Sequence, residues 1–314
     1  MTDFNYPKIC PICRADKSPL FIRNFIRGDI KYSLYECPEC KVQFWLPKIA
    51  VAKEWYEEKG NPYRIRDLTE LRISRGYHKL FLKRYKDSLK GKKLLDLGCG
   101  TGEFLAEVEK RGCEVFGLDF DREAIKIAKK RFNLKNIYAM SFEEFFQKEN
   151  MPKFNMITFF EVIEHLPDPA DFILNVKKLL KPSGKIVLSA PFRKRMLPNM
   201  NSWDFPPHHF TRWNKEAILN LFSKEEFSAS FISYIEEFKI LSESIDSIFK
   251  TGLVSKSLEL ASVGKKSLLL PKILYFSGRV KHFFLGKIPA VFLWLWSKIS
   301  RKNNGIIYVE IEKA

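Results

Sequence analysis

Short apolar runs alternate with helix-length amphipathic stretches along most of the 314-residue chain. Residues 92–97, KKLLDL, read as a buried strand that runs into a glycine-rich turn, and a helix is predicted from Glu103. Residues 114–118 predict a second strand ending in Asp119, and residues 122–132 a helix. Further strands are predicted at 136–140, 154–160 and 185–190, the last entered through the Pro182-Ser183-Gly184 turn. Strand-helix repetition of this kind predicts an α/β fold with a doubly wound sheet. Residues 226–234 and 305–312 read as two more strands. Upstream, 20–22 and 32–35 read as short strands, and 55–59 and 67–90 as helices.

Composition changes the picture through charge. Lys and Arg number 54 against 37 Asp and Glu, a net +17, while 46% of residues are hydrophobic. That apolar content excludes a wholly disordered chain. The excess is uneven: residues 61–93 carry +8, residues 248–302 carry +10, and residues 94–247 carry −2. Such a balance predicts attraction to an anion: nucleic acid, acidic lipid or a phosphorylated compound. The first 20 residues show no apolar secretory core, and no run of about 18 apolar residues occurs. A cytoplasmic location is expected, where paired cysteines bind metal more often than they form disulfides.

Four of the six cysteines form two pairs, Cys10-Pro-Ile-Cys13 and Cys37-Pro-Glu-Cys40. Two intervening residues let one tight turn aim both thiolates at a single ion, and two such turns complete a tetrahedral zinc site. Residues 1–46 therefore resemble a zinc ribbon. Four thiolates leave no open coordination position, so the zinc is expected to be structural. The ribbon itself has two readings, a stabilising cap or a substrate-recognition module. Residues 47–91 are expected to link it to the next domain, with a solvated basic face on an amphipathic helix.

The string Leu94-Leu95-Asp96-Leu97-Gly98-Cys99-Gly100-Thr101-Gly102-Glu103 resembles motif I of class I S-adenosylmethionine-dependent methyltransferases. Residues 179–191, LLKPSGKIVLSAP, are also typical of that family. The resemblance implies a Rossmann-like, seven-stranded sheet over 92–240 and 303–314, its last two strands forming an antiparallel hairpin. It also implies a cofactor site. Asp96, Gly98, Cys99, Gly100 and Gly102 would hold the methionine end. Asp119 would accept the ribose hydroxyls and Phe120 would pack on adenine. Ser141 and Phe142 would stand at the adenine edge, and Phe160 is also expected among the cofactor-binding residues.

On the acceptor side, Glu161-Val-Ile-Glu164-His165 follows the fourth core strand, and Trp203-Asp204-Phe205-Pro206-Pro207-His208-His209 comes later. The first resembles part of the metal-binding set of Hen-type small-RNA 2′-O-methyltransferases and a string in ubiquinone-pathway O-methyltransferases. By that resemblance Glu161, Glu164, His165 and one of His208 or His209 would hold Mg²⁺ or Mn²⁺. The same string is common in metal-free methyltransferases, where it only shapes a loop. A second reading makes His208 or His209 the general base. The later string resembles one in zinc-ribbon methyltransferases of bacterial polysaccharide and sugar clusters, and implies a sugar or glycan hydroxyl acceptor.

Residues 241–302 separate the last two strands and combine Phe, Leu and Trp with basic residues. This suits peripheral contact of 248–302 with anionic lipid at the inner membrane face, or an added helical subdomain. The leading expectation is sugar or glycan O-methylation, with a lipid-linked glycan among the acceptors expected. The alternatives are an RNA methyltransferase, with nucleic acid bound through phosphate contacts, and a non-catalytic cofactor-binding module. Against nucleic acid stands the interleaving of the basic excess with large apolar residues.

Overall fold

The computed structural model describes residues 7, 9–49, 76–193, 205–222, 226–232, 291–292, 295 and 305–313. The expected helix at 55–59, the start of that at 67–90, Trp203, Asp204 and nearly all of 241–302 lie outside them. The chain divides into two compact units. One comprises residues 1–194, 200–234 and 306–314, and the other 195–199 and 235–305. In the second unit Val291, Phe292 and Leu295 are helical. No helix among the described residues is long and apolar enough to cross a membrane.

The first unit holds two sheets. The smaller is built from β1 (Leu20–Arg27), β2 (Ile30–Glu36), β3 (Gln43–Leu46) and β9 (Thr211–Arg212), in the order β1-β2-β3-β9. The larger contains β4 (Lys93–Leu97), β5 (Glu114–Asp119), β6 (Ile137–Ala139), β7 (Phe154–Phe160), β8 (Leu180–Pro191), β10 (Phe227–Ile232) and β11 (Ile306–Lys313). Its order is β10-β11-β8-β7-β4-β5-β6, seven strands as expected. β4, β5, β6, β7 and β8 pair in parallel, while β11 runs antiparallel to both β8 and β10. Strand β8 begins at Leu180, so it absorbs the expected Pro182-Ser183-Gly184 turn, with Ser183 at φ 55°.

The central strands are apolar on both faces because helices cover both. Leu95, Leu97, Ile157, Phe159, Ile186 and Leu188 face one core, with Ile307, Val309 and Ile311. That side is covered by α5 (Pro169–Leu179) and α6 (Lys215–Leu221), and α4 (Phe142–Phe146) flanks it. The alternate residues Leu94, Met156, Phe160, Val187 and Tyr308 face the other core, under α1 (Gly76–Arg84), α2 (Glu103–Glu109) and α3 (Arg122–Phe132). Asp121 caps α3 by accepting from the Glu123 and Ala124 amides, and Asp168 caps α5 by accepting from Asp171.

Helix α1 is fastened to the sheet by an ion pair. The Arg84 guanidinium donates to both carboxylate oxygens of Glu310 on β11, Nη2 at 2.8 Å. The Glu310 side chain is 6% exposed and that of Arg84 38%. Burial and the adjacent Glu310 carboxylate push the Tyr85 hydroxyl above its usual range. Removing the cation therefore costs more than removing the acid, because the carboxylate is the buried partner. Arg84→Met is expected to lower unfolding free energy by about 3 kcal/mol in urea melts. The double variant Arg84→Met, Glu310→Met is expected to recover most of that loss. Equal, additive losses would show that the pair is not coupled.

Candidate active site

The glycine turn after β4 is shaped by positive backbone angles and close approach. Gly98 has φ 85°, and a Cβ there would lie 2.7 Å from Val162 Cγ2. Gly102, at φ 79°, starts α2, where a Cβ would meet Ala128 at 2.8 Å. No L side chain fits either place. Asp119 braces the turn: its Oδ2 accepts from the Gly100 amide at 2.8 Å and its Oδ1 from the Asp121 amide at 2.9 Å. Thr158 on the neighbouring strand donates its hydroxyl to Asp96 Oδ1 at 2.7 Å.

A cavity beside this turn is lined by Tyr77, His78, Asp96, Gly98, Cys99, Glu103, Phe104 and Phe160. Four of these were among the expected cofactor residues: Asp96, Gly98, Cys99 and Phe160. The sequence reading missed Tyr77, His78, Glu103 and Phe104. The His78 ring stacks on Phe104 with centroids 4.7 Å apart, and Tyr77 stacks on Phe160 at 5.3 Å. The one available signal was a histidine on the apolar face of a helix, which reads equally as core. Of the other expected cofactor residues, Phe120 is exposed beside Asp119. Ser141 caps α4: its hydroxyl accepts from the Glu144 amide at 3.2 Å, and its own amide donates to Glu144. Phe142 packs edge-on against Phe172, with centroids 5.0 Å apart.

The acceptor strings meet at the carboxyl edge of the sheet. A single 3₁₀ turn, Ile163–His165, follows β7, and Val162 touches the glycine turn. Among the described residues, Glu164, His165 and His209 bring one donor atom each within 4.8 Å of the others. The Glu164 side chain is 1% exposed. The His165 and His209 rings meet edge to face at 4.7 Å. His165 Nδ1 lies 2.7 Å from the His208 carbonyl oxygen. A carbonyl only accepts, so Nδ1 carries a hydrogen, and in the neutral ring Nε2 is then the nitrogen with the lone pair.

Glu161 and His208 do not join that set. Glu161 sits at φ 55°, a costly angle for a side chain other than glycine, and its Oε1 accepts from Ser189 Oγ at 3.0 Å. His208 is 2% exposed. Burial holds its imidazole down to about 4, with Arg27 and His209 adding repulsion. A neutral, enclosed imidazole of that basicity is a poor proton acceptor near neutrality.

The cysteine pairs form a second centre. Cys10 and Cys40 Sγ lie 3.7 Å apart, and Cys13 and Cys37 Sγ 3.6 Å. All four fall within 4.8 Å of one another. A tetrahedron with metal–sulfur bonds of about 2.3 Å needs sulfurs separated by ~3.8 Å. The two turns repeat one geometry. The Ile12 and Glu39 amides donate to Cys10 and Cys37 Sγ, and Arg14 and Lys41 close each turn at φ 58° and 62°. The four cysteines thus fit a closed metal site.

If Asp119 both braces the turn and serves the cofactor, Asp119→Ala is expected to weaken S-adenosylhomocysteine binding at least tenfold, or roughly 1.4 kcal/mol by calorimetry. Unchanged affinity would remove it from the site.

A family model described as a methyltransferase domain matches residues 65–229, just over half the chain. A ubiquinone biosynthesis O-methyltransferase of Pasteurella multocida is 32% identical over 151 residues, covering 44% of this chain and 60% of the relative. One from Proteus mirabilis is 27% identical over 217 residues, covering 66% of this chain and 82% of that protein. The chain thus spans only about 60% of the length of several curated relatives it matches. Among solved structures, phosphoethanolamine N-methyltransferase 2 of Haemonchus contortus, with phosphomonomethylethanolamine and S-adenosylhomocysteine, aligns at 14% identity with a TM-score of 0.52. The alignment covers 93% of this chain and 71% of that one. At that identity the likeness concerns the fold alone. By family match and strand order together, the chain belongs to the methyltransferase-domain family and has the class I S-adenosylmethionine-dependent methyltransferase fold.

Proposed function

We propose that the chain is an S-adenosylmethionine-dependent O-methyltransferase in which His165 accepts the proton of the acceptor hydroxyl. The observation that carries this reading is the pinned His165 ring beside Glu164 and His209, on a segment whose Val162 lies against Gly98. S-adenosylmethionine, when bound, supplies an electrophilic methyl group. The chain's own task is to orient and deprotonate. Asp96, held by Thr158, and Asp119, held to the Gly100 amide, offer fixed carboxylates to the cofactor's polar groups. The acceptor hydroxyl would give its proton to His165 Nε2 as its oxygen takes the methyl group, the S–CH3 electron pair returning to sulfur with S-adenosylhomocysteine as the leaving group. Buried Glu164 then lies 3.8 Å from the imidazolium nitrogen and offsets its charge. In a second reading that replaces the base role, because His165 has only its Nε2 lone pair to offer, Glu164, His165 and His209 would hold Mg²⁺ or Mn²⁺, which would acidify a coordinated hydroxyl. Zinc at the four cysteines closes the ribbon and takes no part in the chemistry.

For the acceptor, the relatives' names favour a ring hydroxyl of a quinone precursor over the sugar or glycan hydroxyl implied by the sequence resemblance. A lipid-attached acceptor of either kind agrees with the basic, aromatic segment 248–302 and with peripheral contact at an anionic membrane. Labelled S-adenosylmethionine, offered with lipid, glycan and RNA extracts, is expected to mark the quinone-containing lipid fraction. His165→Ala is expected to slow that transfer by about 10²–10⁴-fold while S-adenosylhomocysteine affinity holds. Label in RNA alone would overturn the reading, and label in glycan alone would move the acceptor to a sugar hydroxyl.

A further inference from the structure

We infer that the cysteine ribbon is the template that shapes the acceptor loop, residues 205–213. The ribbon sheet is completed by a strand from the catalytic chain: Gln43 and Phe44 of β3 pair with Arg212 and Thr211 of β9. One step along, the Trp45 amide donates to the Phe210 carbonyl at 2.8 Å, and the Phe210 amide donates to the Glu164 carbonyl at 2.8 Å. A single residue next to the histidines, Phe210, thus joins the ribbon through its carbonyl and the Glu164 turn through its amide. Side chains repeat the link. Arg212 donates to Gln43 Oε1 at 2.7 Å. Arg193, two residues past the end of β8, donates to Glu36 at 3.0 Å and to the Lys41 carbonyl at 2.7 Å. Lys41 directly follows Cys40 and closes the second cysteine turn.

The apolar side of the contact is continuous with these bonds. Phe205 packs on Phe25 at 4.4 Å and on Trp45 at 5.8 Å between ring centroids, with the Arg23 guanidinium 5.1 Å from its ring. Arg27 donates to the Pro206 carbonyl at 3.2 Å. Arg14, which closes the first cysteine turn, reaches Asp168 at 2.8 Å, just past the Glu164 turn. β9 has only two residues and borrows its register from β3. β3 in turn is held by the turn that brings Cys37 and Cys40 together. Arg193, Gln43 and Trp45 are therefore positioning residues for His209, and the metal that closes the cysteines sets the acceptor loop at a distance.

This inference rests on the zinc reading of the ribbon, and its test separates the two. The full chain would be stripped of zinc with a chelator, with metal content and S-adenosylhomocysteine binding measured on the same sample. Amide hydrogen exchange is expected to rise roughly a hundredfold at Trp45 and Phe210. Exchange at Leu95 and Leu118 and the affinity for S-adenosylhomocysteine are expected to stay the same. Arg193→Met, which leaves every cysteine in place, is expected to speed Phe210 exchange about tenfold with one zinc still bound per chain. Phe210 protection that survives metal loss would overturn the inference while leaving the zinc site standing. Collapse of cofactor binding along with the loop would also overturn it, reducing the ribbon to a general stabiliser. A chain purified without zinc, with Phe210 protected, would overturn both readings.

Discussion

The Phe210 peptide is the constraint on which the acceptor side depends. The Phe210 amide and carbonyl, which belong to the two peptide units on either side of its Cα at the bend before β9, each find a partner from a different part of the chain. Neither partner is local: Trp45 lies in the ribbon and Glu164 follows a central strand of the catalytic sheet. Without those two bonds the loop would carry unsatisfied backbone groups in a buried place, since Phe210 and Trp213 are 2% and 0% exposed. The loop that carries His208 and His209 is therefore held by backbone pairing on both sides. The bond from His165 Nδ1 to the His208 carbonyl extends the same logic, because it turns loop position into a fixed tautomer.

Cofactor and acceptor residues are joined by a second contact, between Gly98 and Val162. β4 and β7 are parallel neighbours, so the turns that follow them leave the sheet side by side. In an open parallel sheet this is where ligands bind. Gly98 has no Cβ because Val162 occupies the space, and the segment carrying Glu164 and His165 can then pass close to the glycine turn. One small residue thus serves two sites. It adopts a left-handed backbone angle for the cofactor turn and makes room for the acceptor turn.

Much of the catalytic sheet was legible in the sequence for physical reasons. Its strands are buried on both faces, which leaves mostly apolar runs such as Leu94–Leu97, broken only by Asp96, and Phe154–Phe160, broken only by Asn155 and Thr158. The glycine turn and the two cysteine turns advertise themselves because few residue types satisfy their backbone angles or their chemistry. β9 was not legible. Two residues cannot show an alternation, and Thr211 and Arg212 look like loop. The fusion of ribbon and catalytic sheet into one unit followed from that missing strand. His78 was missed for another reason: on an amphipathic helix, a buried ring against Phe104 looks the same whether it fills a core or walls a cavity. His208 and His209 are adjacent and chemically alike, and only their burial and their placement against Glu164 and His165 separate them.

The central claim is that ribbon and acceptor loop are one structure closed by a metal. Crystal diffraction at the zinc absorption edge, on the full chain with S-adenosylhomocysteine, addresses it most directly. The account predicts a single anomalous peak among the four Sγ atoms and a continuous ladder from β3 through β9. An intact, metal-bound ribbon whose β3 edge is unpaired, with residues 205–213 ordered elsewhere, would contradict it.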